Sequence, residues 1–466
     1  MTVLAPSILR EYDIRGVVGQ HLGEREAYAI GRAFGTIVAR RGGKTACLGF
    51  DGRVSSPGFA AAAAEGLAAC GLDVWRVGRG PTPMLYFSVF HFGADGGLMI
   101  TGSHNPPDQN GFKMTLGPAL GAMPLFGAEI QGLGELVRKA DYAHGLGKIS
   151  ERPVFDDYVA HLADEAGSGG KTLTAVWDAG NGAAGEAMLA LTRRLAGRHV
   201  PLYAEIDGTF PHHHPDPTVA ANLADLQAAV KSEKADYGVA FDGDGDRIGL
   251  VDGKARILWA DQLMVLFARD LLAARPGSPI IADVKASQVL FDEIAKAGGQ
   301  PVMFKTGHSL IKAKMKEMKA PLAGEMSGHI FFADRNKGYD DGLYAAARLL
   351  RILRHADFTL AEFLDRLPPV VNTPELRFAV PAERKWAVID EVRARLAAAR
   401  ADVNGIDGVR VKTGDGWWLL RASNTQDVLV ARCEAADAAG LARLKQQLGR
   451  ELSASGLTLP DDAAGH

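Results

Sequence analysis

One pattern recurs three times along the 466 residues and narrows what the chain can fold into. "TACLGFDGR" (45–53), "TAVWDAGNGAAG" (174–185) and "PIIADVKASQ" (279–288) each begin as an apolar strand and end it on an aspartate, Asp51, Asp178 or Asp283. Each then enters a helical stretch. After the first, Ser56 is placed to cap an alanine-rich helix with Pro57 in its opening turn. Past Gly71 a second strand, "LDVWRVG", follows, and after the third repeat "AKAGGQPVMFKTG" gives the same helix, glycine and strand. Strands alternating with helices predict an α/β fold: three similar α/β domains with mixed, mostly parallel sheets. Boundaries are expected near 150 and 252, giving domains 1–150, 151–252 and 253–367. The remainder, 368–466, breaks the pattern. "VRVKTGDGWWLLRASNTQDVLVARCEA" reads as antiparallel strands, flanked by helical patterns over Glu383–Arg400 and Ala435–Gly449, so this domain is α+β. The tail "ASGLTLPDDAAGH" reads as frayed.

Charge and cysteine content narrow the function. Lys and Arg total 52 against 55 Asp and Glu, a net charge of -3, which supplies no overall basic field for nucleic acid or an anionic membrane. Cys47, Cys70 and Cys433 are too few and too scattered for a disulfide framework or a thiolate metal site, and Cys47 and Cys70 sit in core-like runs. Arg10 interrupts the amino terminus before any run of signal-peptide length, and no apolar run reaches the roughly 18 residues of a membrane span. A cytoplasmic protein is expected.

Two motif-like stretches fail on inspection. "GSGGKT" (167–172) resembles a phosphate loop, but the required first glycine falls on Glu165 and the stretch precedes a strand; it reads as a linker. "PHHHPDP" (211–217) cannot turn three consecutive histidines toward one ion from extended backbone, and its prolines mark a loop.

"FDGDGDR" (241–247) is of another kind. In extended geometry Asp242, Asp244 and Asp246, at every second position after an apolar strand, point to one side, with glycines between them removing bulk. Three close carboxylates repel, and a hard cation resolves the repulsion. An EF-hand is excluded because its glycine and glutamate positions hold Arg247 and Gly253. Monodentate carboxylates leave positions open for a phosphate oxygen, the usual arrangement for magnesium in phosphoryl chemistry, with Arg247 alongside. In "TGSHNPPDQNGFKM" (101–114) the prolines and the Asn-Gly pair forbid a helix after Ser103. An esterase elbow would need glycine where Asn105 stands. His104 and Lys113 offer donors to phosphate oxygens.

These stretches, with "EYDIRG" (11–16), "GEMSGH" (324–329) and "RASNT" (421–425), resemble in order and spacing the α-D-phosphohexomutase family, in particular its bacterial phosphomannomutase/phosphoglucomutase group. The resemblance covers nearly the whole chain and implies four domains around a central cleft. It implies that Ser103 carries a phosphoryl group and, with Asp242, Asp244 and Asp246, contacts Mg²⁺. Arg247, Lys113, Lys285, His308, His104 and Arg15 would assist, with Lys285, His308 and Arg15 as unranked candidates for the general base. Glu325, Ser327 and His329 would read the sugar, Glu325 and Ser327 gripping the hydroxyls at carbons 3 and 4. Tyr12, Lys285 and His308 would line the substrate side, and Arg421, Ser423, Asn424 and Thr425 would hold the phosphate that does not react. Gln426, Asp427 and Gln109 depart from the family's usual residues.

The implied activity is reversible transfer between the 1- and 6-positions of mannose and glucose phosphates through a 1,6-bisphosphate, with glucose 1,6-bisphosphate as activator and a monomer or weak dimer as the working form. Phosphoglucosamine mutase is the alternative within the family, but its members usually carry glutamine where this chain has Met326 and "RPSGT" where it has "RASNT". A metal-dependent sugar phosphatase would have to admit water that a mutase excludes. A non-catalytic sugar-phosphate sensor would have no use for a phosphorylatable serine beside a carboxylate triad.

Overall fold

The computed structural model describes residues 3–424 and 426–460. The three repeats become the central strands of three sheets. In the first, the order is Ile14–Val17, Gln109–Leu116, Gly96–Ile100, Thr45–Phe50, Asp73–Arg79, Ile149–Glu151. Thr45–Phe50 pairs in parallel with both neighbours, whereas Gly96–Ile100 and Gln109–Leu116 are antiparallel. The second sheet repeats this plan: Thr174–Asp178 lies parallel to Arg198–Leu202 and Tyr237–Phe241, and Tyr237–Phe241 then pairs antiparallel with Ile248–Asp252. In the third, Pro279–Asp283 lies parallel to Gln300–Phe304 and Leu322–Gly324, and Leu322–Gly324 turns back into Ile330–Phe332. Each sheet is therefore mixed, and the parallel part holds the aspartate-ended strand. The fourth sheet is antiparallel, built on Val409–Thr413, Gly416–Ala422 and Val428–Ala435.

One consequence of the shared plan decides where the chemistry sits. The loop carrying Ser103 joins Gly96–Ile100 to its antiparallel neighbour; the Asp242–Asp246 loop and the Glu325–His329 loop occupy the same place in the second and third sheets. All three leave the carboxyl end of a strand beside an aspartate-ended one, where parallel sheets open their ligand crevices.

Local details differ from the sequence reading. Ser55, not Ser56, is the cap residue of helix Ser56–Ala68, because the Ser56 hydroxyl donates to Asp51 at 2.5 Å. The last helix is Ala438–Ala454: Ala435 stays in the sheet, and Asp437 caps the helix by accepting from the Gly440 amide at 2.7 Å. The tail is not uniformly frayed, since Leu457 and Leu459 pack on the C-terminal core; residues 461–466 lie outside the described residues.

Burial follows the apolar pattern. One core fills the first sheet's layers around Phe34, Phe59 and Phe112. A larger one runs from the second sheet into the third through Trp177, Phe241, Phe267, Phe332 and Tyr344. The C-terminal core, with Val392, Trp418 and Leu448, is separate. It docks on the third sheet through Arg410, whose guanidinium donates to the Val284 and Ala286 carbonyls (2.6 and 2.8 Å) and lies 3.7 Å from the centre of the Trp417 ring. All three cysteines are buried thiols outside any disulfide. Among the described residues no helix is long and apolar enough to cross a membrane.

Candidate active site

Ser103 sits where two loops touch. Its φ of 48° is left-handed, a conformation that costs a non-glycine residue on the order of 1–3 kcal/mol and persists only where the surroundings impose it. The backbone supplies part of that hold, since the Ser103 amide donates to Thr101 Oγ1 at 2.8 Å. The hydroxyl donates to Asp242 Oδ2 at 2.8 Å and lies 3.2 Å from His104 Nδ1. Gly243 permits the approach: a Cβ there would fall 2.2 Å from the Ser103 carbonyl oxygen.

Asp242, Asp244 and Asp246 are fully buried, and one oxygen from each lies within 4.8 Å of the others. They do not converge by strand alternation as the sequence reading has it. The strand ends at Phe241, and a turn with Gly245 at φ 74° swings the carboxylates together. Lys113 Nζ reaches across from the first sheet, 2.7 Å from Asp244 and 2.5 Å from Asp246, and Thr82 donates to Asp244 at 2.5 Å. The electrostatics divide the triad. Burial and the charges of Asp244 and Asp246 push Asp242 well above the ordinary carboxylate range. Burial would also raise Asp246, but Lys113 and His329 outweigh it and hold that carboxyl well below. Asp244 Oδ1 and Asp246 Oδ1 are buried without hydrogen bonds, although His329 Nε2 stands 3.3 Å from the latter. Buried, hard, anionic oxygens left without donors fit a divalent cation.

A second group, Asp246, His329 and Asp340, also has metal-ligand spacing. Lys113 stands on its Asp246 and Lys312 on its Asp340 at 2.6 Å, and both Asp340 oxygens, like Asp244 Oδ1, are buried without hydrogen bonds.

Along the cleft, Arg247 Nε lies 3.9 Å from Asp242 and its amide donates to Asp242 Oδ1 at 3.2 Å. The backbones of Arg247 and His329 bridge the Asp242–Asp246 loop to the Glu325–His329 loop. Burial would lower His329, but Asp246 and Glu325 raise it to about 9, so it is an imidazolium at neutral pH. Glu325 is pinned at both ends: Oε1 accepts from the Gly307 amide at 2.7 Å and Oε2 lies 3.3 Å from His329 Nδ1, which is 2.8 Å from Ser327 Oγ. His308, first residue of helix His308–Met318, stacks 5.3 Å from His329 and edge-on to Tyr12 at 5.6 Å. Burial, Lys312 and His329 push His308 well below its ordinary range, leaving it neutral. Burial and Arg247 do the same to His104.

The three base candidates thus differ. Arg15 is tied to Asp13 at 2.8 Å and to the Thr101 carbonyl at 3.2 Å. Lys285 lies two residues beyond its strand, which ends at Asp283, and pairs with Glu375 at 2.8 Å. His308 is a neutral imidazole, held so by its surroundings.

The fourth loop closes the far end. Asn424 donates to the Tyr12 hydroxyl at 2.8 Å, and that hydroxyl donates to the Thr306 carbonyl at 3.0 Å. Arg421 Nε donates to Asp407 Oδ2 at 2.9 Å, and the same oxygen accepts from the Thr306 amide at 3.0 Å. Ser423 is buried, its carbonyl accepting from Lys385 Nζ at 3.1 Å; Thr425 lies outside the described residues. Asp407, Glu375, Asp340 and Lys312 escaped the sequence reading, since their partners lie far along the chain and only the fold pairs them. Of the two dismissed stretches, residues 167–172 form the connection before Thr174–Asp178 and stay outside. In 211–217, His212 and His213 hydrogen-bond Asn181 (2.7 Å) and Asp178 (3.0 Å), but the Pro215 carbonyl accepts from the Gly243 amide at 3.1 Å and the Asp216 carboxylate lies within electrostatic reach of Arg247, so this stretch backs the site.

Comparison with known proteins bears on the whole arrangement. Phosphoglucomutase/phosphomannomutase profiles match four successive stretches: alpha/beta/alpha domain I over 6–135, II over 156–255, III over 259–371, and the C-terminal domain over 375–450. The phosphomannomutase/phosphoglucomutase of Pseudomonas aeruginosa is 44% identical over 98% of this chain and 98% of its own. A phosphoglucomutase of Neisseria meningitidis is 43% identical, covering 96% and 97%. The crystal structure of a phosphoglucomutase/phosphomannomutase family protein from Burkholderia thailandensis superposes with a TM-score of 0.92 at 43% identity, over 98% of this chain and 100% of that one. With four profiles in order, and relatives alike from end to end, the chain belongs to the phosphoglucomutase/phosphomannomutase family of α-D-phosphohexomutases.

Proposed function

We propose that this chain reversibly interconverts the 1- and 6-phosphates of mannose and glucose, with Ser103 as phosphoryl carrier. The observation that carries the reading is the 2.8 Å contact of Ser103 Oγ with Asp242, inside a buried triad that also faces Arg247. Phospho-Ser103 gives its phosphoryl group to the free hydroxyl, the Ser103 Oγ–P bond breaking as the sugar O–P bond forms. The resulting 1,6-bisphosphate returns its other phosphate to Ser103. Asp242, Asp244, Asp246 and Ser103 would hold Mg²⁺, which supplies charge stabilisation to the transferring phosphoryl group. Lys113 and Arg247 add fixed positive charge at the same place. Neutral His308 accepts the proton of the attacking hydroxyl, and charged His329 donates beside it. Tyr12, Lys285, Glu325 and Ser327 orient the sugar, and Arg421, Ser423 and Asn424 take the distal phosphate.

Four units, 1–150, 151–252, 253–367 and 368–466, each give one loop, so a monomer has the groups it needs. Glucose 1,6-bisphosphate is expected to activate, because an intermediate that escapes leaves Ser103 dephosphorylated. Three buried cysteines outside any disulfide accord with a reducing cytoplasm. A coupled mutase assay tests the reading, and inorganic phosphate released in place of isomerised sugar phosphate would establish a phosphatase instead.

Substrate choice follows from the sugar loop. Glu325 and Ser327 grip hydroxyls that glucose and mannose share, whereas an ammonium at carbon 2 meets no dedicated acceptor. A missing charged contact is worth about 1.5–3 kcal/mol, or roughly ten- to a hundredfold in kcat/KM. Mannose and glucose 1-phosphates should turn over within about tenfold of each other, with glucosamine 1-phosphate worse than either by at least that factor. Equal turnover of the glucosamine phosphate would move the chain to the phosphoglucosamine branch.

Asp407 gives a further expectation. Asp407→Asn keeps an acceptor for the Thr306 amide but removes the charge that orients Arg421. Distal-phosphate contacts persist through the reaction, so KM for glucose 1-phosphate should rise about tenfold with kcat little changed. A fall in kcat at constant KM would place Arg421 at the reacting phosphate.

A further inference from the structure

Behind Ser103 lies a buried guanidinium. Arg53, two residues past the aspartate-ended strand, is 2% exposed. One terminal nitrogen donates to the Pro106 and Gln109 carbonyls at 2.6 and 2.8 Å; the other donates to Ser103 and Asn105 at 2.7 and 2.6 Å. Nε faces Asp51 at 3.3 Å, and Asp51 also accepts from the Gly102 amide at 3.1 Å. Four carbonyl oxygens converging on one point repel one another. A planar cation with a fixed fork of donors satisfies all four, and an ammonium, with three donors in a cone, cannot. The fit leaves no slack, because a Cβ on Gly102 would fall 2.2 Å from Arg53 Cζ.

The outer face of the same group is covered from the second unit. The Phe210 ring centre lies 5.2 Å from Arg53 Cζ, and Ile206 packs so tightly on Gly52 that a Cβ there would fall 2.1 Å from its Cγ2. Asp51 and Arg53 therefore belong to one sheet while their cover comes from the next. The loop they organise is the one whose residue 103 stands at φ 48° with its hydroxyl on Asp242.

We infer that Arg53 is a positioning residue for phosphoryl transfer: by gathering the carbonyls of residues 103, 105, 106 and 109 it fixes Ser103 in the left-handed conformation that aims Oγ at the carboxylate triad, and Phe210 makes that conformation depend on the neighbouring unit. The inference rests on Ser103 as phosphoryl carrier. Arg53 is buried with both terminal nitrogens committed to backbone carbonyls, so its loss lowers kcat and spares binding.

The test compares Arg53→Ala, Arg53→Lys and Phe210→Ala in the full-length protein. It measures kcat, KM, the affinity of the dephosphorylated protein for glucose 1-phosphate by calorimetry, and the rate at which glucose 1,6-bisphosphate phosphorylates Ser103 by intact mass. Arg53→Ala should lose about 10²-fold in kcat and in the phosphorylation rate, the scale of a misplaced reacting group, with sugar-phosphate affinity unchanged. Millimolar guanidinium, far below denaturing concentration, should restore part of the loss without raising the melting temperature, and Arg53→Lys should restore little. Phe210→Ala, at the edge of the network, should give the same split at a few-fold loss. It decides the question if Arg53→Ala fails to fold. Losses that follow melting temperature alone, or a Phe210→Ala enzyme with unaltered kcat and phosphorylation rate, would overturn the inference. Normal turnover in Ser103→Ala would instead remove the reading beneath it.

Discussion

Replacing Ser103 with alanine is expected to lower mutase turnover by at least ~10³-fold while sugar-phosphate binding survives. The substitution removes one oxygen and little else. The loop around it is held by groups an alanine keeps: the residue 103 amide on Thr101 Oγ1 and the residue 103 carbonyl under Arg53. The residues proposed to hold the sugar and the distal phosphate, Tyr12 apart, are carried on other sheets, and the hydrogen bonds of Ser103 Oγ go to Asp242 and His104, neither of which is among them. Calorimetric binding of glucose 1-phosphate should therefore match the dephosphorylated wild type, and no phosphoprotein should form with glucose 1,6-bisphosphate. Near-normal turnover in this variant would mean that Ser103 is not the carrier.

The carboxylate triad should answer substitution unevenly. Changing Asp242, Asp244 or Asp246 to Asn removes a charged ligand in each case, so each should weaken Mg²⁺ activation and slow turnover, on the order of 10²-fold at subsaturating metal. Metal-free stability separates them. Burial and its two neighbours push the Asp242 pKa up, so the folded protein without metal holds that proton more tightly than the unfolded chain does. Asp242 then withdraws stability as pH rises from its unfolded value toward its raised folded one, and Asp242→Asn abolishes that loss. Thermal melts in a chelator at pH 7 should show Asp242→Asn at or above the wild type. Asp246→Asn should lie below it, because Asp246 is held well below the ordinary range by Lys113 and His329, and removing its charge strands buried cations. An unchanged Mg²⁺ titration in all three variants would remove the metal assignment.

How much of this was legible in the sequence depends on whether a residue's partner is near it along the chain. The aspartate-ended strands could be read because each is a contiguous run with its own turn and helix. The carboxylate triad could be read because its members lie within five residues, although they converge through a turn and not through a pleat. The placement of the three working loops could not. They depend on which strand lies beside the aspartate-ended one, and in the second sheet Thr174–Asp178 finds Tyr237–Phe241 some sixty residues on. Arg53 had a visible signal, a basic residue two positions after the strand-ending Asp51, but its four acceptors lie fifty and more residues away. Helix ends were misjudged where a side chain had a better use, as with Ser56 on Asp51.

The Tyr12 hydroxyl, which accepts from Asn424 and donates to the Thr306 carbonyl, joins three parts of the chain through two polar bonds. Elsewhere the C-terminal unit is seated on the third by apolar burial and by the Arg410 fork over Trp417. Such an asymmetry makes a door with one hinge and one latch. At this corner the C-terminal unit is held by the neutral Asn424–Tyr12 bond, about 0.5–1.5 kcal/mol net, and by the Thr306 amide on Asp407 at 3.0 Å, about 1.5–3 kcal/mol, so the latch yields before the packed hinge does. Swings of that kind run on the microsecond-to-millisecond scale, no slower than ordinary turnover. On the proposed function, a bisphosphate that must present first one end and then the other to Ser103 would have a moment of slack in which to turn, without the molecule unfolding around it.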